Sequence, residues 1–304
     1  MMKTWFLLVI CSIALSAQAA EKVKVSAEQT QVYDDIKQTL GMVPTFMKEY
    51  PAEGIAGAWE EFKGIQLNPN TALDGKTKEL IGLAVSSQIP CRYCIYFHKK
   101  ALSLYGAKPE EVRLAIAIAA DTRKWSTNLY GSLYDAEVFR KDIERMIAHM
   151  SKMPKQQEAK EPMQVTDAQS AYKDMEKSLG FVPGFMKNYP ESGVAGAWKN
   201  FRDMMGNPNT ALAPKTKDLI SLAVSSQIPC DYCTYADTRF ATVDGASPQE
   251  IKEAIALAGI VRHWSTVLNG LRQDEKAFEN EANQIFRYLE KSKDMPAKKV
   301  SSRK

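Results

Sequence analysis

Apolar residues recur along this chain at spacings of three and four, and no alternating β-branched run is present, so the period is helical throughout. The segment from Thr77 to Gln88 sets Leu80, Ile81, Leu83, Ala84 and Val85 broadly along one side of a predicted helix, and Pro90 stops it. The next predicted helix closes on Ser103 to Gly106, and Pro109 opens another in its first turn. Val112, Ala115, Ile116 and Ala119 continue that helix at the same period, and the small residues Ala115, Ala117, Ala119 and Ala120 predict closely packed core helices. Gly41 to Pro44 and Asn68-Pro69-Asn70 carry turn chemistry. The fold class expected is all-α.

The pattern is written twice. A shift of 139 residues lays Leu40-Gly41 on Leu179-Gly180, Trp59 on Trp198, Asn68 to Leu73 on Asn207 to Leu212, and Trp125 on Trp264. About 54 of the 100 pairs from 32 to 131 are identical without a gap, a period too long for a solenoid of small repeats. The expected organisation is therefore two tandem helical domains of about six helices each, 21–150 and 167–290. The segment 151–166, rich in Lys, Gln, Glu and Pro, reads as their linker, and 291–304 as a basic tail.

Composition narrows the function classes. With 304 residues, 45% hydrophobic and 25% charged, the chain sits at the globular average, which excludes collagen-like and largely disordered readings. A net charge of +4 gives no electrostatic case for nucleic acid, and three histidines exclude a site built from many imidazoles. Residues 1–20 read as a cleaved secretory signal: Lys3, an apolar stretch from Trp5 to Leu15, and Ala17-Gln18-Ala19 as cleavage site. That stretch is too short to span a bilayer, which takes about 20 residues, and no later segment is long and apolar enough. The mature protein is expected in the periplasm or secreted, with four of its five cysteines retained.

Those four form two Cys-x-x-Cys pairs. In the first, Pro90 places Cys91 at a helix start, where unpaired N–H groups and the macrodipole favour a thiolate. Cys94 lies within disulfide reach, and His98 follows one turn below it on the same face, where imidazole can take or return a thiol proton. Glu79, on the preceding helix, is placed to orient that imidazole. A redox pair, an inert structural disulfide and a metal site all remain open here. A bridge across three residues constrains the unfolded chain little, and Cys91, Cys94 and His98 supply only three of four zinc ligands.

Glu79, Cys91, Cys94 and His98, with the flanking run from Lys76 to Val85, resemble the motif of the AhpD-like alkylhydroperoxidases, within the carboxymuconolactone decarboxylase superfamily. The resemblance spans 70–130 and, in duplicate, 209–269. It implies an all-helical, oligomeric protein that needs no cofactor or metal and reduces hydroperoxides. Cys94 would be the peroxidatic thiol, Cys91 the resolving one, and Glu79 and His98 the proton relay. An unidentified thiol reductant would complete the cycle, and a disulfide is the alternative substrate. A thiol–disulfide exchange protein without peroxidase activity and a non-catalytic scaffold are the competing readings. Between the cysteines stands Tyr93, where some members carry a second histidine. The second copy keeps Cys230 and Cys233 but has Asp218 for Glu79 and Asp237 for His98, and all nine positions from Phe97 to Tyr105 are altered in it. A carboxylate at its reference pKa is a poor base for a thiol, so this pair is expected to be structural, a weaker redox centre or an electron relay. Trp59, Trp125, Trp198 and Trp264 are expected in the core, Arg123 and Arg262 beside a helix end or a buried carboxylate, and His149 and His263 solvated or locally bonded.

Overall fold

The computed structural model describes residues 27–152 and 163–293. The expected signal segment, most of the linker and nearly all of the basic tail lie outside the described residues. What is described is helical, and no described helix is long and apolar enough to cross a membrane. The first copy runs through α1 (Ala27–Leu40), α2 (Thr45–Lys48), α3 (Ile55–Ile65), α4 (Gly75–Gln88), α5 (Arg92–Leu104), α6 (Pro109–Gly131) and α7 (Ala136–Met150). The second repeats the order as α8 (Ala168–Leu179), α9 (Gly184–Lys187), α10 (Glu191–Met204), α11 (Pro214–Gln227), α12 (Asp231–Val243), α13 (Pro248–Gly270) and α14 (Glu275–Lys293). Each described copy thus has seven helices rather than six, the addition being the single turn that follows Val-Pro.

By its contacts the chain divides at Glu60 into two compact units. Within the first, Trp59 is buried and its indole N–H donates to Asp35 Oδ2 at 2.6 Å. The second copy repeats this pair inside the larger unit, where Trp198 donates to Asp174 at 2.8 Å and Arg202 meets the same carboxylate at 2.7 Å. A tryptophan with its one donor satisfied is a core residue, as expected of Trp59 and Trp198.

The larger unit is built around four helices, two from each copy: α4, α6, α11 and α13. Leu80, Ile81, Leu83 and Ala84 interlock there with Ala115, Ile118 and Ala119, with Leu219, Ile220, Ala223 and Val224, and with Ala254, Leu257, Ala258 and Val261. Each fully buried Leu, Ile or Val contributes about 1.5–3 kcal/mol, and the interspersed alanines let the axes approach closely. The two copies therefore share one core. Their sharing explains why α4 is buried on every side from Thr77 to Ser86, where periodicity predicted a single apolar stripe. The same burial takes in two lysines. Lys78 Nζ donates to the Ile65 and Asn68 carbonyls at 2.6 and 2.7 Å and pairs with Glu253 of α13 at 3.2 Å. Lys217 Nζ donates to the Met204, Met205 and Asn207 carbonyls, and its burial depresses its pKa.

The last helix of each copy crosses over to the other. Helix α14 packs on α5, with Tyr93 Oη donating to the Gln273 carbonyl at 2.6 Å, Tyr96 Oη to Asn283 Oδ1 at 3.0 Å, and Phe97 against Phe286. Helix α7 packs on α12 in the matching way: Tyr232 Oη donates to the Tyr134 carbonyl at 2.5 Å, and Tyr235 and Arg239 bind Glu144. Each cysteine segment is thus covered by the other copy's final helix.

Candidate active site

The first pair sits where α4 hands over to α5. Asp74 caps α4 by accepting the Thr77 N–H at 3.0 Å, and after Pro90 the chain restarts with Cys91 as the N-cap of α5. Cys91 and Cys94 are disulfide-bonded, and Cys91 Sγ also accepts the Cys94 N–H at 3.3 Å. The helix start therefore favours charge on Cys91, as the spacing predicts. Access favours the other cysteine: Cys91 is fully buried, whereas Cys94 keeps 6% of its surface.

Behind the pair the expected relay residues meet. His98 Nδ1 lies 2.7 Å from Glu79 Oε2, both side chains being almost wholly buried. The other oxygen, Glu79 Oε1, accepts from Gln66 Nε2 at 2.7 Å, and this fixes the carboxylate plane. The imidazole lies flat on Gly82, where a Cβ would stand 2.5 Å from Nδ1 and 2.7 Å from Nε2. Only glycine admits the ring. Tyr105 stands against Gly75 at the start of α4, its phenol pushed up by burial and by the charges of Glu79 and Asp74.

The second pair repeats the frame with other contents. Cys230 is the N-cap of α12, is bonded to Cys233 and accepts its N–H at 3.2 Å. Asp237 occupies the place of His98, and Ser221 occupies that of Gly82, so the ring has gone and its space is partly refilled. Burial pushes Asp237 up to about 7, with the Ser225 and Ser221 hydroxyls as its neighbours. Burial also pushes Asp218 up to about 9, reinforced by its hydrogen bond to Asp244 and the nearby carboxyls of Asp244 and Asp237. One oxygen of each, Asp218 Oδ2 and Asp237 Oδ2, is buried without a hydrogen-bond partner. The objection that a carboxylate is too weak a base assumed the reference pKa, and desolvation removes that assumption for Asp237.

Gln66 and Gly82 escaped the sequence reading, although the exchange of both in the second copy (Met205 and Ser221) was the available signal. Trp125 is buried, with Phe185 and Tyr189 beside it in a small cleft, while Arg123 and Arg262 are exposed rather than set against a buried carboxylate. Among the described residues no group of three or more His, Cys, Asp or Glu is placed to hold a metal ion.

Comparison with known proteins agrees with this architecture. A 52-residue stretch is 42% identical to "Uncharacterized protein 4 in cox locus" of Paracoccus denitrificans, covering 17% of this chain and 47% of that protein, so the chain spans about half of that curated relative. A chain assigned as a gamma-carboxymuconolactone decarboxylase subunit from Burkholderia xenovorans LB400 superposes with a TM-score of 0.51 at 15% identity, over 88% of this chain and all of that one, a likeness of fold. The carboxymuconolactone decarboxylase family model matches twice, at residues 53–131 and 193–276, together more than half of the sequence. Two matched segments, each holding one bonded cysteine pair in one all-helical chain, make this protein a member of the carboxymuconolactone decarboxylase family in tandem form.

Proposed function

We propose that the protein is an exported thiol oxidoreductase that reduces hydroperoxides at the first cysteine pair. The observation that carries the reading is the buried chain Gln66–Glu79–His98, standing one helical turn from Cys94. In the reduced state Cys94, the less buried of the two cysteines, attacks the terminal peroxide oxygen as a thiolate. The O–O bond breaks, Cys94 becomes a sulfenic acid, and the departing alkoxide takes a proton from His98, which Glu79 holds in place. Cys91, its thiolate favoured at the N-cap, then attacks Cys94 Sγ and expels hydroxide, which leaves as water once protonated. A dithiol donor restores the pair.

Hydroperoxide consumption driven by dithiothreitol tests this. Cys94→Ser is expected to abolish it, and His98→Ala to slow it by about 10²–10⁴, the usual worth of a positioned acid–base group. Unchanged rates in both variants would overturn the assignment. Turnover of a model disulfide without peroxide consumption would move the site to thiol–disulfide exchange.

A further inference from the structure

The changes around the second cysteine pair are coordinated. Glu79, Gly82, His98 and Tyr105 become Asp218, Ser221, Asp237 and Asp244, while Cys230 and Cys233 keep the N-cap position, the bond and the N–H to Sγ contact of the first pair. A histidine could not return to position 237 alone, because the first copy seats its ring on a glycine and here a serine stands. A short carboxyl over a serine fits where a ring over a glycine did before.

The surroundings of Asp237 set what it presents. Ser225 Oγ donates to the Leu222 carbonyl at 3.0 Å, and Ser221 Oγ lies 2.9 Å from Thr122 Oγ1. Hydrogen bonds from these two serines favour charge on Asp237, but its Oδ2 is buried without a hydrogen-bond partner, and an oxygen so placed favours the neutral acid. The other groups around the carboxyl argue the same way. Asp218 on α11 and Asp244 past the end of α12 are acidic, and the Lys217 ammonium is taken up by three carbonyls. On α6 the facing side chain is neutral Thr122, and on α7 Glu144 is spent on Arg239 and Tyr235. The raised pKa of Asp237 agrees with this accounting.

We propose that Cys230–Cys233 is a second redox centre, a thiol–disulfide exchange site for dithiols in which neutral Asp237 protonates the departing Cys233 thiolate. Cys233 keeps 7% of its surface and Cys230 none, so a donor thiolate attacks Cys233 Sγ. The Cys230–Cys233 bond breaks, and Cys230 leaves as a thiolate held by the Cys233 N–H. The donor's second thiolate then attacks its own sulfur in the mixed disulfide. That forms the donor's internal disulfide and releases Cys233, which takes the proton of Asp237 one turn away. Two electrons pass from dithiol to protein, and the two protons given up by the donor return to Asp237 and Cys230.

The test uses the full mature chain with Cys91→Ser and Cys94→Ser, so that peroxide chemistry at the first pair plays no part. Reduction of the remaining disulfide by dithiothreitol is followed by thiol labelling from pH 5 to 9, with circular dichroism as the check on folding. The near-isosteric Asp237→Asn is expected to slow reduction at least tenfold below pH 7 and to remove the inflection near neutrality. The pair Ser221→Gly with Asp237→His returns the first copy's ring over a glycine, with Asp218 in place of its glutamate, and is expected to restore rate with a displaced profile. A merely structural Asp237 would leave the pH profile of the Asn variant superimposable on the parent, and that result overturns the proposal. So does a disulfide that excess dithiothreitol leaves intact in the folded protein.

Discussion

Gly82→Ala isolates the contact on which the first site depends. The added Cβ would lie 2.5 Å from His98 Nδ1 and 2.7 Å from Nε2, about 1 Å inside ordinary contact, so the ring must leave its seat. Leaving breaks the 2.7 Å contact with Glu79 and strands a carboxyl that retains only Gln66. Loss of a buried hydrogen bond to a charged group costs about 1.5–3 kcal/mol, and overpacking about 1–3 kcal/mol. Alanine's better helix propensity returns about 1 kcal/mol, for a net loss of about 1.5–5 kcal/mol. Urea denaturation reads the stability, and peroxide turnover is expected to fall as far as in His98→Ala. Gly259→Ala is the control: that helical glycine has open space around it, so the same change should stabilise by up to about 1 kcal/mol. Combining Gly82→Ala with His98→Ala removes the clash, so the two substitutions should couple by about 1–3 kcal/mol. A Gly82→Ala protein within about 0.5 kcal/mol of wild type, at full turnover, would refute the reasoning.

Lys78→Met leaves Glu253 buried against the Thr71 hydroxyl and the Ala72 and Leu73 N–H groups without its cation, and should destabilise by about 3–5 kcal/mol in denaturant titration. A loss below about 1 kcal/mol would mean that the backbone donors suffice. The second copy should make stability fall with pH. Asp218 and Asp237, raised to about 9 and about 7, hold protons that the unfolded chain releases above about 4. Their stabilisation is complete below that pH and is lost as pH rises through 7 and then 9, by at most about 1.4 kcal/mol per pH unit for each group. Asp218→Asn should flatten the decline and exceed the parent in stability at pH 8, and parallel curves for the two proteins would contradict the assignment.

Much of this was legible in the residues, and the remainder was hidden for physical reasons. Helix type, the stop at Pro90, the glycine end near Gly106 and the proline start at Pro109 are local properties, and each reads directly from the chain. The relay is partly local too, because His98 lies one turn from Cys94 by spacing alone. Periodicity does not name the partner of an apolar face, so the mixing of α4 and α6 with α11 and α13 was not readable, nor was the burial of Lys78 and Lys217 that follows from it. Glu253 meets Thr71 and Lys78 across more than 170 residues, a pairing without local trace. The raised pKa of Asp237 was not readable for a related reason. A reference pKa belongs to solvated groups, and the packing around Asp237 Oδ2 takes this carboxyl out of water.

The crossed final helices also say something about how the two sites came to differ. Were the copies separate identical chains exchanging α7 and α14, every substitution near one cysteine pair would appear at the other, and symmetry would hold both to one chemistry. Fusion lifts that restraint. Because α14 covers the first cysteine segment and α7 the second, each half must keep its shape for the other's sake. The side chains behind each pair are under no such obligation. Selection could then retune one interior, ring to carboxyl and glycine to serine, while the fold that holds both stayed the same.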